Sequence, residues 1–347
     1  MVDGDAGDGG DQPEDTLRAR ADEGRARLWL LLEADRRLVV AGLFLLTFVT
    51  LLAVGTFLPD AAVKLRDGDA IGTLFQGFLA ATITGVTLVL TLNQLVLSQE
   101  LGAVGDQRER MTGALDFRTD AADLVGAPVS PARPAQFLDA LVRACERHAR
   151  TIRDSVDEDH AAWAAVDDLT GSLIDNADAV AADLDDAQFG EFGVLSAALD
   201  FNYSWKIFAA RRLRAEADGL DSDAMDALDA LLDTLELFGP AREHFKTLYF
   251  QWALIGLSRA VLVASLPALL LAVCMIAFVD PTGVLAALVG VVPLVAFASA
   301  VAVLPFLVLL AYILRIATVT KHTLSVGPFI LRETDGVAVP DDDAESR

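Results

Sequence analysis

Three groups of residues have side chains and spacings that could do chemistry. The first is Thr73, Gly77, Thr84, Thr87, Thr91, Gln94 and Ser98, which recur at intervals of mostly three and four, with Ala80 or Ala81 filling the gap. On a helix that spacing draws one small and polar stripe along one side. The segment around it, Ile71–Ser98, carries no charge, so the stripe needs protein or water beside it, because polar groups facing hydrocarbon are costly. Two roles fit. The stripe is either a seam between helices, with small residues and hydroxyls allowing close packing, or the lining of an oligomeric pore. A hydroxyl-lined pore without fixed charge would select weakly by electrostatics and leave ring diameter and mouth residues to set selectivity. Gln76 and Asn93 sit to the side of the stripe, and Leu79, Val86, Leu90 and Leu97 lie away from it.

The second group lies in Phe189–Arg214, where Phe192, Phe201, Tyr203, Trp205 and Phe208 are followed by Arg211, Arg212 and Arg214. Trp205 and the three arginines form a basic and aromatic patch in an otherwise acidic chain. The patch could pack on neighbouring helices with its arginines pairing nearby acids, meet anionic lipid headgroups, or hold an anion or a partner. The third group is Cys145 and His148, three apart, with His160 beyond an acidic turn. Two ligands are too few for a zinc site, so no metal is expected. No nucleophile elbow, phosphate-cradling glycine loop, His-Glu-x-x-His sequence or EF-hand pattern occurs. Neither a catalytic residue nor a cofactor is therefore expected, and the protein reads as a non-enzyme.

The elements that position these groups follow from composition. The 347 residues include 50 acidic and 27 basic ones, for a formal charge of −23, yet 54% are hydrophobic. Such a mixture has to be segregated along the chain. The apolar residues collect in two blocks, about 38–98 and 248–314, with acids between them and at both ends. Two cysteines exclude a disulfide scaffold, and the acidic balance argues against nucleic acid as a partner. The acids are 37 Asp against 13 Glu, and the bases 23 Arg against four Lys. Short carboxylates and scarce lysine suit a surface kept soluble in concentrated salt, where self-repulsion is screened. This composition resembles that of proteins from salt-loving archaea, and it marks most single carboxylates as solvated surface.

Leu38–Leu58 is uncharged and, at 1.5 Å per residue, long enough to cross a hydrocarbon layer of roughly 30 Å. Pro59–Ala70 reads as a short turn, Ile71–Ser98 as a second span, Ala260–Val279 as a third and Val284–Leu314 as a fourth, the last two joined by the Asp-Pro-Thr-Gly reversal Asp280–Gly283. Pro293 and Pro305 in the long fourth span are candidate kinks or gate points. Cys274 in the third span reads as a buried packing residue, and Arg259 at its edge as a snorkelling side chain. Arginine and lysine near the span ends, Arg36, Arg37, Arg108, Arg110, Arg259, Arg315 and Lys321 among them, place both termini and the middle region in the cytoplasm. No signal peptide is expected, because charged residues precede the first apolar stretch.

The expected fold is thus an all-α integral membrane protein, four transmembrane helices with a cytoplasmic helical bundle inserted between the second and third. The expected divisions are an acidic disordered tail (1–15), an amphipathic helix (16–37), two spans (38–98), an acidic helical domain (99–247), two spans (248–315) and a cytoplasmic tail (316–347) disordered from about 336. Within the middle region, Gln99–Leu115 reads as a charged continuation of the second span and Ala121–Ala135 as a loop. One apolar face runs through Phe137, Leu138, Leu141, Val142, Cys145 and Ile152, and another through Trp163, Val166, Leu169, Leu173, Val180 and Leu184. A further helix, capped by Ser222 and bearing Met225, Leu228, Leu231, Leu232, Leu235 and Phe238, is expected to end at Gly239-Pro240.

In its order of spans, two, then a long helical region, then two more and a tail, the chain resembles bestrophin-like membrane proteins, and Asn202–Arg214 is similar to an aromatic and basic run in that family. The resemblance implies an oligomeric anion channel with the second span around the pore. The expected function is a passive, homo-oligomeric ion pore lined by the second helix. The alternative is a non-catalytic membrane scaffold or sensor whose bundle binds an unidentified cytoplasmic protein. The partners expected are the lipid bilayer, further copies of the chain, and that protein.

Overall fold

A computed structural model describes residues 34–66, 69–185, 187, 192–216 and 219–323. The predicted tails at 1–15 and from 336 lie outside the described residues, as does nearly all of the predicted helix at 16–37. The fold is all-α, with no strand among the described residues. Its helices are α1 (Arg36–Phe57), α2 (Ala61–Arg66), α3 (Ala70–Glu100), α4 (Val104–Val125), α5 (Pro134–Asp154), α6 (Trp163–Asp185), α7 (Phe192–Leu199), α8 (Tyr203–Glu216), α9 (Ser222–Ala277), α10 (Val284–Val289) and α11 (Val291–Thr323). Four of them, α1, α3, α9 and α11, are long and apolar enough to cross a membrane. They flank a helical bundle inserted between the second and third, which makes the chain a multi-pass membrane protein.

The chain divides into two compact units, one of Gly24–Arg110 with Thr247–Lys321 and the other containing Met111–Lys246. In the first, alanines and valines do much of the packing. Ile71 and Phe75 of α3 meet Ala272 and Met275 of α9 and Val291, Val295, Ala298 and Ala302 of α11 in one cluster, and Val89, Leu257, Val261, Ala264 and Val308 form a second. Small residues let helix backbones approach closely where lipid supplies no hydrophobic drive. Gly55 shows this at its limit, since a Cβ there would lie 2.5 Å from Cγ1 of Val292. Nearby, Phe44 and Phe48 meet Phe297 edge-on at 6.3 and 6.1 Å.

In the second unit α5 buries the predicted face, and Val166, Leu169, Leu173, Val180 and Leu184 of α6 join it in one core with Leu228, Leu231, Leu232, Leu235 and Phe238 of α9. Trp163 packs on that core while remaining partly exposed. Phe238 sits at the centre, fully buried, with its ring 4.8 Å from that of Phe201 and 5.9 Å from that of Tyr203.

Several local expectations are corrected. The turn after the first span contains the one-and-a-half-turn helix α2. The second span stops at Glu100 instead of running on: Leu101 is extended (φ −81°, ψ 118°), and Leu101–Ala103 separate α3 from α4. The predicted loop at Ala121–Ala135 is narrower, because α4 runs to Val125, Gly126 turns with φ 70°, and α5 starts at Pro134, where proline is pre-set for a first helical turn. At the start of α9 the capping group is Asp221, whose carboxylate accepts from the Ala224 amide at 2.7 Å, and Ser222 is already helical.

The largest correction is at Gly239-Pro240, where no helix ends and α9 continues for 56 residues in all. Gly239 is there for packing: a Cβ would come 2.9 Å from the Tyr203 ring. The flanking residues Phe238, Ala241 and Arg242 are buried, so packing outweighs the backbone bond that the proline removes. Conversely, the predicted continuous fourth span is two helices, α10 and α11, parted at Gly290, which takes φ 92°. Pro293 therefore stands in the first turn of α11, where its missing N–H costs little. Cys274 is exposed on the surface of its span, not buried.

Candidate functional site

Along α3, residues 100° apart per step fall into two faces. Ile71, Phe75, Thr82 and Val89 are buried against the neighbouring helices of the same unit. Thr73, Gly77, Thr84, Thr87, Thr91, Gln94 and Ser98 are all exposed, on a face centred roughly 180° from the buried one by that helical geometry. The stripe is thus not a seam within the subunit. Gln76 shares the exposed face with Gln94, whereas Asn93 is half-buried on the packed side. Leu95 also falls on the exposed face, one turn past Thr91, and makes the stripe less polar near Ser98.

The hydroxyls are held by their own helix. Thr84 donates to Ala80 O at 2.9 Å, Thr87 to Ile83 O at 3.0 Å, Thr91 to Thr87 O at 3.0 Å and Ser98 to Leu95 O at 2.7 Å. Each donor proton is satisfied while the oxygen lone pairs stay outward. The exposed side therefore offers acceptors from hydroxyls, and donors from the amides of Gln76 and Gln94. Pro305 is on the other side of the helix pair, lining a small void with Thr82, Gly85, Val261 and Phe306. Pro305 is thus away from the stripe, and Pro293 lies beside the Gly290 turn.

The basic and aromatic patch is divided by the fold. Trp205 and Arg212 of α8 line a cavity of about 480 Å³ with Phe208, and His160, Asp168 and Leu169 form the opposite wall. Trp205 and Phe208 stack side by side with ring centroids 5.5 Å apart. Arg211 and Arg214 do not reach the cavity; they pair with Glu236 and Asp229 of α9 at 2.6 and 3.1 Å. Arg212 is itself paired with Glu216 at 3.0 Å.

Sequence reading missed Lys206. Only 1% of it is exposed, its ammonium lies 5.2 Å from the centre of the Phe201 ring, and it borders the same cavity. The available signal was lysine scarcity, since a chain with four lysines places one inside its aromatic run.

The Cys145–His148 group has no metal-site character. Burial pushes the Cys145 thiol up to about 12, so it stays protonated and unreactive. Burial and then the Arg147 charge hold His148 below its usual range. Among the described residues, no three His, Cys, Asp or Glu gather as a metal would require. The nearest charged cluster is an ion-pair hub on the same helix, where Glu146 takes Arg150 at 2.6 Å and Arg143 at 3.1 Å. Burial raises the Glu146 carboxyl, but the hydrogen bonds from Arg150 and Arg143 outweigh it and hold it below the ordinary value.

Four apolar helices, with a helical bundle inserted in sequence between the second and third, define a multi-span helical membrane protein. The chain belongs to the DUF7972 family, a family of unknown function whose profile spans residues 2–343. No curated protein and no solved structure matches it, so the likeness to bestrophin-like proteins remains one of span order.

Proposed function

We propose that the protein is a non-catalytic membrane pore, in which copies of the chain assemble around the polar face of α3 and pass ions down their gradient. One observation carries this reading: Thr73, Gly77, Thr84, Thr87, Thr91, Gln94 and Ser98 all face outward, opposite the side that packs within the subunit. A face with exposed glutamine amides at two depths is costly against lipid and is relieved by water or by another subunit. With no ionised side chain on that face, discrimination among ions falls to the mouths.

The test is the oligomeric structure in a lipid nanodisc at high salt, the condition to which the acidic, lysine-poor composition is suited. A ring with Thr84, Thr87, Thr91 and Gln94 around a continuous opening supports the pore, and ion flux through it from proteoliposomes completes the case. A monomer, or a closed dimer with the stripe filled by protein, removes the pore reading.

A second reading is favoured by the cavity beside Trp205, Lys206 and Arg212. A membrane-anchored sensor would use such a cavity in its bundle to bind a ligand or partner segment. Substitution at Trp205 would then abolish capture and leave assembly unchanged.

A further inference from the structure

At one end of the four-span unit, one arginine is held by aromatic groups and a second lies close by. Arg36, the first residue of α1, places its guanidinium 4.4 Å over the Tyr312 ring of α11 and donates from Nη2 to the Tyr249 hydroxyl of α9 at 3.3 Å. Three residues after Tyr312, Arg315 donates from Nη2 to the Ala34 carbonyl at 2.6 Å, two residues before Arg36. These crossed contacts bring the two guanidiniums to the same corner. Tyr249 is buried, Tyr312 rests against Gly256, and Trp252, one turn from Tyr249, is 57% exposed.

Arg36 differs from the arginines of the bundle. There, Arg143, Arg150, Arg153, Arg211, Arg212, Arg214 and Arg242 each meet a carboxylate. Arg36 meets none among the described residues, although acids outnumber bases 50 to 27. The neighbouring Asp35 instead caps α1 through the Arg37 amide at 2.8 Å. The ring face fixes the plane of the Arg36 guanidinium, and the phenol takes one of its five donors. Its Nε is buried and has no hydrogen-bond partner. A fixed guanidinium edge with donors to spare is matched to an oxyanion with several acceptor oxygens.

Position selects which oxyanion. Arg36 begins the first span and Arg315 lies in the last turns of the fourth. Leu38, two residues into α1, is 69% exposed and begins the surface that faces hydrocarbon. Arginines at that boundary extend along the apolar wall to the headgroup layer, and tyrosine and tryptophan settle at the same depth. We infer that Arg36, framed by Tyr249 and Tyr312, binds the phosphate of an anionic phospholipid at this membrane face. The bound lipid staples the first span to the third and fourth.

The experiment uses the full-length protein in nanodiscs of phosphatidylglycerol and phosphatidylcholine at one to three, followed by native mass spectrometry of the lipid that stays bound. Retained lipid is expected to be enriched in phosphatidylglycerol, and R36Q is expected to lower that retention about tenfold, as loss of one charge-assisted contact does. R37Q removes the same charge from the exposed neighbour and should change retention less than about twofold, in line with a screened surface charge. Equal losses in R36Q and R37Q would show diffuse attraction and overturn the site. Displacement of the lipid by inorganic phosphate at equal concentration would assign the pocket to a soluble anion and overturn the lipid assignment. Should R36Q fail to fold, wild-type protein with a headgroup-photoreactive phosphatidylglycerol decides: crosslinks are expected on peptides bearing Tyr249, Arg36 or Tyr312. Crosslinks confined to other peptides refute the inference.

Discussion

Two positions on α3 test whether the polar face sees water. Thr84 lies near the middle of the helix Ala70–Glu100, its side chain exposed on the stripe, and Leu90 lies under two turns further on, 46% exposed, turned about 120° away and outside the arc that the stripe covers. A lysine at the centre of a lipid-facing span costs about 2.5–3.5 kcal/mol, which is roughly a hundredfold in the inserted population. Leu90→Lys should incur most of that cost. Thr84→Lys should escape most of it if the stripe lines water, because the ammonium stays solvated. The existing Thr84 hydroxyl bond to Ala80 O is internal to one turn, and its loss removes no contact between helices. The assay is a pair of measurements on each variant: membrane-integrated yield against wild type, and halide and potassium flux from proteoliposomes. The expected result is near-normal yield for Thr84→Lys, with potassium flux lowered and halide flux raised by the new ring of positive charge, and severe loss of yield for Leu90→Lys. Equal loss for both variants would refute the water-lined face. Normal insertion of Thr84→Lys with dissociation into monomers would make the stripe a dry seam.

Three further outcomes follow from the packing. Phe238→Ala, which empties the centre of the bundle core, should destabilise it by about 3–5 kcal/mol in chemical denaturation of the full chain, and a loss below about 1 kcal/mol would contradict the core assigned to it. Gly55→Val places a branched side chain where even a Cβ would be 2.5 Å from Val292; overpacking of about 1–3 kcal/mol should lower the thermal midpoint in detergent, and an unchanged midpoint would show that α1 does not pack there. Glu146 has a folded pKa held below its usual 4.5, so its contribution is present above that value and disappears as pH falls through the lower folded pKa. Glu146→Gln should therefore reduce stability near neutrality and flatten the acid limb of the stability curve, which circular dichroism across pH 2–7 would detect.

Much of the architecture was legible from local pattern. A run of about 20 uncharged residues has one favourable place, and an apolar face repeating every three to four residues has one favourable conformation. Hence the four spans and the faces of α5 and α6 could be read without coordinates. Boundaries that depend on contacts could not. Gly239-Pro240 carries a helix-ending signature, yet the helix passes through it because Tyr203, more than thirty residues earlier, occupies the space the glycine leaves. Gly290, with no such neighbour to signal it, breaks the last apolar segment by adopting a left-handed backbone.

The candidate site divides in the same way. The stripe on α3 was visible as spacing, because helical periodicity alone aligns its residues. Which way it points was decided by the other side of the helix, where Ile71, Phe75, Thr82 and Val89 pack inward and turn the threonines out. The arginines after Trp205 were visible as a run, but where each points depends on the fold: Glu236 and Asp229 take Arg211 and Arg214, while Arg212 pairs with Glu216 one turn on and borders the cavity. Arg36 and Arg315 were legible only as span-end arginines, and nothing local signalled their meeting with Tyr249 and Tyr312. Arg36 is separated from the other three by more than two hundred residues, and they meet only because the first, third and fourth spans converge. Composition and periodicity thus determine that this chain enters a membrane and which faces it offers; tertiary packing decides which of those faces remain available, because burying one side of a helix is what exposes the other.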